Sequence, residues 1–331
     1  MPTVAGVHRR TKAVLVAVGA TSMLAGCGGA QPGVSSSGST SAGTRAFEVV
    51  ATFTAESLGL NRPAAMALGP DGNIYLTDYG QRVSVISPDG RVLRRWGTPG
   101  GGAGQFHFAA PDHSDPTWVP GHLTVGSDGS VYVSDSGNAR VQVFTPDGRF
   151  VRQFGSFGPT DAQLLMPYDL TVDDAGHVFV EDDQRQRLTR FSAAGAADWV
   201  IGGLSNDPDL RGHFHPGMVD RHGRLLVTND DNGRILYIDA SGHKVDAFGG
   251  SGPLVKDGPC DISVDDRGYT YISPCLPDST YVYDPSHELV ASWPASEGEL
   301  ETAPRFGADG VGFALRWDGA VIVVRATLGR S

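Results

Sequence analysis

The sequence predicts an all-β fold built from six similar units. Glycine-containing turns recur every 45 to 57 residues, and each turn separates two short apolar runs. The turn glycines are Gly72, Gly129, Gly176, Gly223, Gly268 and Gly319. With 45 glycines and 21 prolines in 331 residues, the chain is too rich in turn-forming residues for long helices. A regular period of this length is typical of a repeat architecture.

The second unit shows the pattern within one repeat most clearly. A proline leads into an apolar inner strand at 120–125, and a glycine turn separates it from a second strand at 131–135. A third strand follows at 141–144, and after the turn at 146–148 the last strand ends at 154–155. Four short antiparallel strands form one blade of a β-propeller. The inner strands lack polar alternation because both of their faces pack against neighbouring blades.

The two ends of the domain are expected to complete one blade together. The last unit contains only two clear strands between Gly310 and Val324, whereas an apolar strand without a unit of its own lies at 47–53. Pairing these segments closes the ring and removes an open sheet edge that would invite aggregation. The sequence therefore predicts a six-bladed β-propeller over residues 46–331, closed by its N- and C-terminal strands.

The repeated pattern resembles the NHL repeat, most closely at residues 117–155. The resemblance rests on the proline lead-in, the glycine turn, the strand that ends in Asp135, and the Asn138 and Arg140 that follow it. It covers nearly all of residues 46–331 and implies a six-bladed propeller. Members of this family include extracellular sensors, interaction scaffolds, and lyases such as peptidylglycine amidating lyase and streptogramin lyase. The repeat itself is structural and does not choose among these functions.

The N-terminus has the three features of an export signal. A basic start at 8–12 precedes an apolar run at 13–25, which is too short to span a bilayer and ends in the tetrapeptide LAGC. This tetrapeptide resembles a bacterial lipobox, so residues 1–26 are predicted to be a lipoprotein signal peptide. Acyl chains on Cys27 would then anchor the chain to the bacterial cell membrane, facing the extracytoplasmic side. The alternative is an ordinary signal peptide with an incidental cysteine.

The segment 27–45 is rich in Gly, Ser and Thr and has no apolar period, so it is predicted to be a flexible tether. The formal net charge of the chain is −11. Binding to nucleic acid needs a basic surface, and we therefore expect no nucleic acid partner.

An acid or amide followed by an arginine recurs after the second strand of successive units. These pairs are Asp78/Arg82, Asp135/Arg140, Asp182/Arg187 and Asn229/Arg234. A carboxylate and a guanidinium at this spacing can pair across a tight loop. Their repetition favours a structural staple in each blade over a ring of ligand-binding charges.

Five polar side chains are expected to meet at one mouth of the central channel. Counting back seven residues from the turn glycine gives His122, Asp169 and Asp261, and the position before it gives Tyr168 and His215. The same count gives Ala65 in the first unit and Gly312 in the last. Because inner strands line the channel of a propeller, these positions share one rim, where ligands commonly bind.

Two imidazoles and two carboxylates at one rim suit several kinds of chemistry. His122 and His215 are candidate ligands of a divalent metal, and the whole set suits general acid–base work near neutral pH. A polar, water-filled channel mouth without either activity is the simpler alternative. His213 and His215 also alternate at strand spacing, which is a weak sign of a metal pair, and a chance pair at a strand entry is the favoured reading.

The connection at 98–118 is longer than those of the other units. It contains both aromatic and metal-binding residue types, namely Phe106, His107, Phe108, Asp112, His113, Asp115 and Trp118. Such a loop could overhang the channel as a lid, or it could be a tolerated surface insertion.

Cys260 and Cys275 are the two cysteines of the predicted domain. In the hairpin around the turn at 265–268, extending the strand register outward brings the two residues close together. Export permits disulfides, so a bond between them is predicted, with two free thiols as the alternative.

These observations predict a membrane-anchored module that binds a small-molecule, glycan or protein ligand at the channel mouth. The alternative is a metal-assisted lyase or hydrolase of the type found in the family. A scaffold that uses its outer faces is a third reading. No catalytic residue is identified by the sequence.

Overall fold

The computed structural model describes residues 46–108, 121–203, 205–275, 278–307 and 309–328. Cys27 lies outside these residues, so the signal peptide, the tether and the lipid anchor stay predictions. Among the helices of the described residues, none is long and apolar enough to cross a membrane.

The described chain is almost entirely β-structure. Its first thirteen strands are β1 (Phe47–Phe53), β2 (Pro63–Leu68), β3 (Ile74–Asp78), β4 (Arg82–Ile86), β5 (Val92–Trp96), β6 (Thr98–Pro99), β7 (Gln105–Phe106), β8 (Leu123–Val125), β9 (Val131–Asp135), β10 (Arg140–Phe144), β11 (Phe150–Phe154), β12 (Pro167–Val172) and β13 (Val178–Asp182). The remaining strands are β14 (Arg187–Phe191), β15 (Ala197–Gly202), β16 (Phe214–Val219), β17 (Leu225–Asn229), β18 (Arg234–Ile238), β19 (Lys244–Gly249), β20 (Pro259–Val264), β21 (Thr270–Pro274), β22 (Thr280–Tyr283), β23 (Leu289–Trp293), β24 (Arg305–Phe306), β25 (Val311–Leu315) and β26 (Val321–Ala326). A short helix α1 spans Pro253–Asp257, and single 3₁₀ turns lie at Ser136–Asn138, Asp183–Arg185, Pro208–Leu210 and Ala295–Glu297.

All strands except β6 and β7 form six four-stranded antiparallel sheets, which are the blades. Blades 1 to 5 are β2–β5, β8–β11, β12–β15, β16–β19 and β20–β23, and blade 6 combines β24–β26 with β1. Six apolar clusters lie between the sheets, one for each pair of neighbouring blades. Each fully buried Val, Leu or Phe in such a cluster contributes about 1.5–3 kcal/mol. Packing between blades, rather than within one blade, is therefore what stabilises the ring.

The ring is closed by the two ends of the domain. β1 pairs with β26 from Phe47 opposite Ala326 to Phe53 opposite Val321. A cluster that contains Met66 of blade 1 and Phe313 of blade 6 completes the circle. The predicted six-bladed propeller with terminal-strand closure is confirmed.

One detail of blade 6 differs from the sequence prediction. Its inner strand is β24, so the inner turn carries Gly310, whereas Gly319 connects β25 to β26. The two turns have the same hydrogen bond, from Gly310 N to Gly307 O (3.0 Å) and from Gly319 N to Arg316 O (2.7 Å). The assignment of Gly312 to the channel rim was wrong because Gly319 was counted as the inner turn.

The repeated acid–arginine pairs are buried loop staples. Asp78 Oδ2 accepts from Arg82 Nε at 2.9 Å, and Asp135 Oδ2 accepts from Arg140 Nε at 2.7 Å. In blade 3, Asp182 Oδ2 lies 3.1 Å from Arg185 Nη1 and 3.6 Å from Arg187 Nε. All three aspartates are fully buried, and none of them lines the cavity on the channel axis.

Blade 4 has an amide in place of the staple's carboxylate. Asn229 Nδ2 donates to the carbonyls of Asp209 (3.0 Å) and Arg211 (2.7 Å). Arg234 pairs with the Asp209 carboxylate at 3.3 Å instead of with Asn229. The loop is thus held in a different way, by polar contacts with the connection that precedes β16.

The described part of the long connection belongs to the core. Phe106 and Phe108 are fully buried between blades 1 and 2 and stack with centroids 4.8 Å apart. The His107 backbone N–H donates to Asp135 Oδ1 at 2.7 Å. These two phenylalanines are therefore core residues and not ligand contacts of a lid. The other predicted lid residues, Asp112, His113, Asp115 and Trp118, lie outside the described residues.

Candidate functional site

All five side chains predicted at the rim line one cavity, which we call the mouth cavity. Its lining includes residues of all six blades, so it lies on the axis of the ring. The residues that line the mouth cavity are Met66, Ala67, His122, Leu123, Thr124, Tyr168, Asp169, Leu170, His215, Pro216, Gly217, Cys260, Asp261, Pro274, Cys275, Glu301, Thr302, Arg305 and Trp317. The cavity has a volume of about 140 Å³. The inner strands of blades 1, 3, 4 and 5 are irregular in register near this end, and such bulges re-aim side chains.

His122 of blade 2 pairs with Asp169 of blade 3. His122 Nδ1 lies 3.2 Å from Asp169 Oδ1, which also accepts from Leu170 N at 2.8 Å. Burial opposes charge on both groups, but their mutual attraction outweighs it, raising the pKa of His122 and lowering the pKa of Asp169. An ionised carboxylate only accepts hydrogen bonds, so Nδ1 is the donor of this pair. The other ring nitrogen, Nε2, is then left for proton exchange with a ligand.

Tyr168 lies between the two rim histidines. Its ring centroid is 4.3 Å from that of His122 and 6.2 Å from that of His215. Burial, with neighbouring carboxylates, raises the pKa of Tyr168 well above its usual value. The phenol therefore keeps its proton at neutral pH.

His215 pairs with Glu181, a residue that the sequence reasoning missed. His215 Nδ1 lies 3.2 Å from Glu181 Oε2, and Glu181 is only 1% exposed. Within the part of the chain that the structure describes, neither Glu181 oxygen has a hydrogen bond of good geometry. Burial raises the pKa of Glu181, and His215 only partly offsets this effect. Burial lowers the pKa of His215, but the attraction of Glu181 outweighs it and the net pKa is raised.

The sequence does contain a signal for Glu181. It is the fourth residue of the second strand of its blade, where the first five blades have Thr77, Ser134, Glu181, Thr228 and Ser273. In blades 2 and 4 this hydroxyl donates across the blade interface, from Ser134 to Tyr168 O (2.6 Å) and from Thr228 to Cys260 O (3.1 Å). Glu181 at this position instead contacts the side chain of His215, the rim residue of the next blade.

Asp261 is engaged by blade 6. Its Oδ1 accepts from Arg305 Nη2 at 2.6 Å, and its Oδ2 accepts from the Ala303 backbone N–H at 2.9 Å. Glu301 and Arg305 were missed as lining residues because the blade 6 rim was assigned to Gly312. Asp261 thus anchors the sixth blade at the rim.

Glu301 is expected to make the protein less stable as the pH rises. Burial raises its pKa from 4.5 to about 7, and His122 and Arg62 offset only part of this effect. Below pH 4.5 the Glu301 carboxyl is protonated in both the folded and the unfolded chain. Between pH 4.5 and about 7 it releases its proton only in the unfolded chain, so unfolding becomes more favourable as the pH rises. Replacing Glu301 by glutamine should make this decline shallower, leaving the share of Glu181, whose pKa burial also raises.

Urea unfolding midpoints of the wild type and Glu301→Gln, measured between these two pKa values, check the prediction. Glu56→Gln is the control, because Glu56 is exposed and the wild-type decline should be kept. Parallel curves for the wild type and Glu301→Gln would contradict the assignment.

The predicted disulfide between Cys260 and Cys275 is confirmed. Pro259 pairs with Pro274 in the inner hairpin of blade 5, so each cysteine lies next to a paired residue. Both cysteines line the mouth cavity. The disulfide is therefore part of the wall of the candidate site.

The two predicted metal ligands line the same cavity, but each is paired with a different carboxylate. Within the described ranges, the groups of three or more potential ligands within 4.8 Å of one another include His215 but not His122. A metal held jointly by His122 and His215 stays a prediction.

Comparison with known proteins identifies the repeat. The family model for the NHL repeat matches residues 117–144. The protein brain tumor of Drosophila melanogaster is 28% identical over 148 residues, which are 44% of this chain. The peptidylglycine alpha-amidating monooxygenase of Rattus norvegicus is 30% identical over 141 residues, or 39% of this chain. The match spans only 13% of the length of each of these two relatives.

Solved structures with the same architecture include three enzymes. A streptogramin B lyase has a TM-score of 0.56 and covers 81% of this chain and 94% of its own. The virginiamycin B lyase of Staphylococcus aureus has a TM-score of 0.55 and covers 84% of this chain and 99% of its own. A gluconolactonase of Xanthomonas campestris has a TM-score of 0.60 and covers 81% of this chain and 86% of its own. All three are 14% identical to this chain, so the likeness establishes the fold and not the activity. The chain therefore contains an NHL repeat at residues 117–144 and has a six-bladed β-propeller fold.

Proposed function

We propose that the mouth cavity binds a small organic ligand between His122 and His215. The observation that carries the proposal is the convergence of polar side chains from five consecutive blades on one cavity at the channel axis. Its volume of about 140 Å³ is close to the roughly 150 Å³ of a cavity that holds one benzene molecule. The enclosed part of the site thus suits a group the size of a single ring.

The charges around the cavity are largely matched. Asp169 is paired with His122, Glu181 with His215, and Asp261 with Arg305. A highly charged ligand would leave one of these partners without compensation, at a cost that buried groups feel strongly. A neutral, polar ring that exchanges hydrogen bonds with the histidines and Tyr168 fits the arrangement better.

The proposal is tested by NMR of histidine side chains labelled with ¹⁵N. Neutral one-ring compounds, among them phenol and gluconolactone, are titrated separately into the full chain. At least one should shift the His122 and His215 signals together and saturably, and Tyr168→Ala should abolish the shift. His177, which is paired with Asp173 at 2.8 Å outside the mouth cavity, is the internal control. A response no larger at His122 and His215 than at His177 would contradict the proposal.

A second candidate function is a lyase or hydrolase that uses acid–base chemistry. The His122–Asp169 pair favours it, because a carboxylate on Nδ1 fixes the tautomer and leaves Nε2 to exchange a proton with a substrate. Three structurally similar proteins are named as lyases or as a gluconolactonase.

Mass spectrometry of gluconolactone and of quinupristin, the compound in one virginiamycin B lyase structure, separates the two functions. Conversion should fall about 10²–10⁴-fold in His122→Ala if His122 transfers the proton. The same rate in His122→Ala and His177→Ala would exclude that role. Binding without conversion leaves the binding module as the function.

We also propose that the propeller acts on the extracytoplasmic side of the membrane, held there by acyl chains on Cys27. Support comes from the LAGC tetrapeptide after a basic and apolar leader. Cells grown with an alkyne-modified palmitate should label the wild type in the membrane fraction, and Cys27→Ser should lose the label. Labelling retained in Cys27→Ser would rule out this anchor.

A further inference from the structure

The disulfide belongs to a compact group of potential metal ligands. His215, Asp230, Cys260 and Cys275 each offer one ligand atom, and these atoms all lie within 4.8 Å of one another. His215 Nε2 is 3.5 Å from Cys260 Sγ, and Cys275 Sγ is 3.6 Å from Asp230 Oδ2. The group combines residues of blades 4 and 5, and neither the proposed ligand binding nor the acid–base chemistry uses its sulfur atoms.

These distances match the edges of a tetrahedral zinc site. With Zn–S near 2.3 Å and Zn–N or Zn–O near 2.0–2.1 Å, neighbouring ligand atoms are separated by about 3.6 Å. The His215–Cys260 and Cys275–Asp230 distances already have this value. The two sulfur atoms are too close because they are bonded to each other, and the three other pairs of ligand atoms lie within 4.8 Å. Breaking that bond frees the two cysteine side chains to rotate apart.

The surroundings of His215 also suit a metal ligand. A ligating histidine usually donates its other ring N–H to a carboxylate, which fixes the tautomer and the orientation of the ring. Glu181 Oε2 is buried and lies 3.2 Å from His215 Nδ1, within reach of such a bond after a small reorientation of the ring. Both cysteines line the mouth cavity, which gives an ion a path to the site.

We propose that reduction of the Cys260–Cys275 disulfide creates a zinc site with His215, Asp230, Cys260 and Cys275 as ligands. The sulfur–sulfur bond takes up two electrons and two protons from a dithiol, which is itself oxidised to a disulfide. Zinc then binds the two sulfurs as thiolates, and their protons are released to solvent. Two thiolates and an imidazole form a soft ligand set that suits Zn²⁺ better than Mg²⁺ or Ca²⁺. Zinc occupancy would thus report whether the chain is reduced.

The test uses the full chain with Cys27→Ser, so that Cys260 and Cys275 are the only cysteines. One sample is reduced with dithiothreitol and desalted without oxygen, and a second sample is kept oxidised. Both receive Zn²⁺, and bound metal is counted by elemental analysis. The reduced sample should hold one zinc per chain and the oxidised sample none. With Co²⁺, only the reduced sample should show a thiolate-to-metal charge-transfer band.

Matched variants assign the ligands by chelator competition. Cys260→Ser with Cys275→Ser should abolish binding, and His215→Ala should weaken it at least tenfold. Glu181→Gln should weaken it about 10–100-fold through the orientation of His215. His177→Ala replaces a histidine that is also paired with a carboxylate but does not belong to the cluster, and it should leave the zinc affinity unchanged.

Several results would overturn the proposal. They are equal zinc binding by the oxidised and reduced samples, zinc affinity unaffected by His215→Ala, and absence of the charge-transfer band. Circular dichroism of the reduced sample and of the double serine variant shows whether the propeller persists without the disulfide. Zinc bound only by an unfolded chain would overturn it as well.

Discussion

Replacing Phe47 by alanine is expected to lower the free energy of unfolding by about 3–5 kcal/mol. Phe47 is fully buried in β1, and its ring stacks on Trp293 of blade 5 with centroids 4.5 Å apart. It also pairs with Ala326, so it belongs to the strand that closes the ring. The substitution removes a large apolar side chain from the interface between blades 5 and 6. Urea unfolding followed by circular dichroism measures the effect.

Val50→Ala is the matched control, because Val50 lies in the same strand but is 42% exposed at the irregularity between Val49 and Ala51. Its effect should stay within about 0.5 kcal/mol, as is usual for surface positions. A cost for Phe47→Ala no larger than that for Val50→Ala would show that β1 does not close the ring.

Replacing Asp135 by alanine should cost about 3–5 kcal/mol of stability, because it leaves the Arg140 guanidinium buried without its carboxylate. Arg140 is only 6% exposed. Asp135 also accepts from Gln142 Nε2 at 3.0 Å and from the His107 backbone N–H at 2.7 Å. The variant therefore disturbs both the blade 2 staple and the connection from blade 1. Urea unfolding, with proteolysis of the 98–108 segment as a second readout, tests this expectation.

Two comparisons make the Asp135 result specific. Asp147→Ala breaks an ion pair with Arg149 in which both side chains are more than half exposed, and it should cause no measurable change. Asp135→Asn keeps a hydrogen-bond acceptor, so its stability loss should lie between those of Asp135→Ala and Asp147→Ala. Blade 4 has an amide, Asn229, at the same position. Equal stability of Asp135→Ala and Asp147→Ala would show that the staple contributes nothing.

Much of the fold follows from local sequence, because each blade repeats the same turns and strands. The rim residues of blades 2 to 5 were predicted for the same reason: the number of residues from rim to inner turn hardly varies. Blade 6 broke this rule, since the turns at Gly310 and Gly319 are locally alike and only the strand order distinguishes them.

The charge pairing of the site was less predictable than its location. His122 and Asp169 come from adjacent inner strands, and counting along the sequence brings them together. Glu181 is on a second strand, and its contact with His215 depends on the packing of two blades. The sequence shows that Glu181 replaces the Ser or Thr of the other blades, but it does not show that His215 is the partner of Glu181.

The pairing of β1 with β26 has a consequence for the order of folding. Phe47 and Ala326 meet although nearly the whole described chain separates them, so this contact carries a large loop-closure entropy cost. As the chain emerges from its N-terminal end, β1 has no partner until β26 has emerged as well. Blades 1 to 5 can form in sequence, but the complete ring is available only to the finished chain. A chain truncated before β26 would expose β1 as a free edge, and quality-control proteases could recognise it as incomplete.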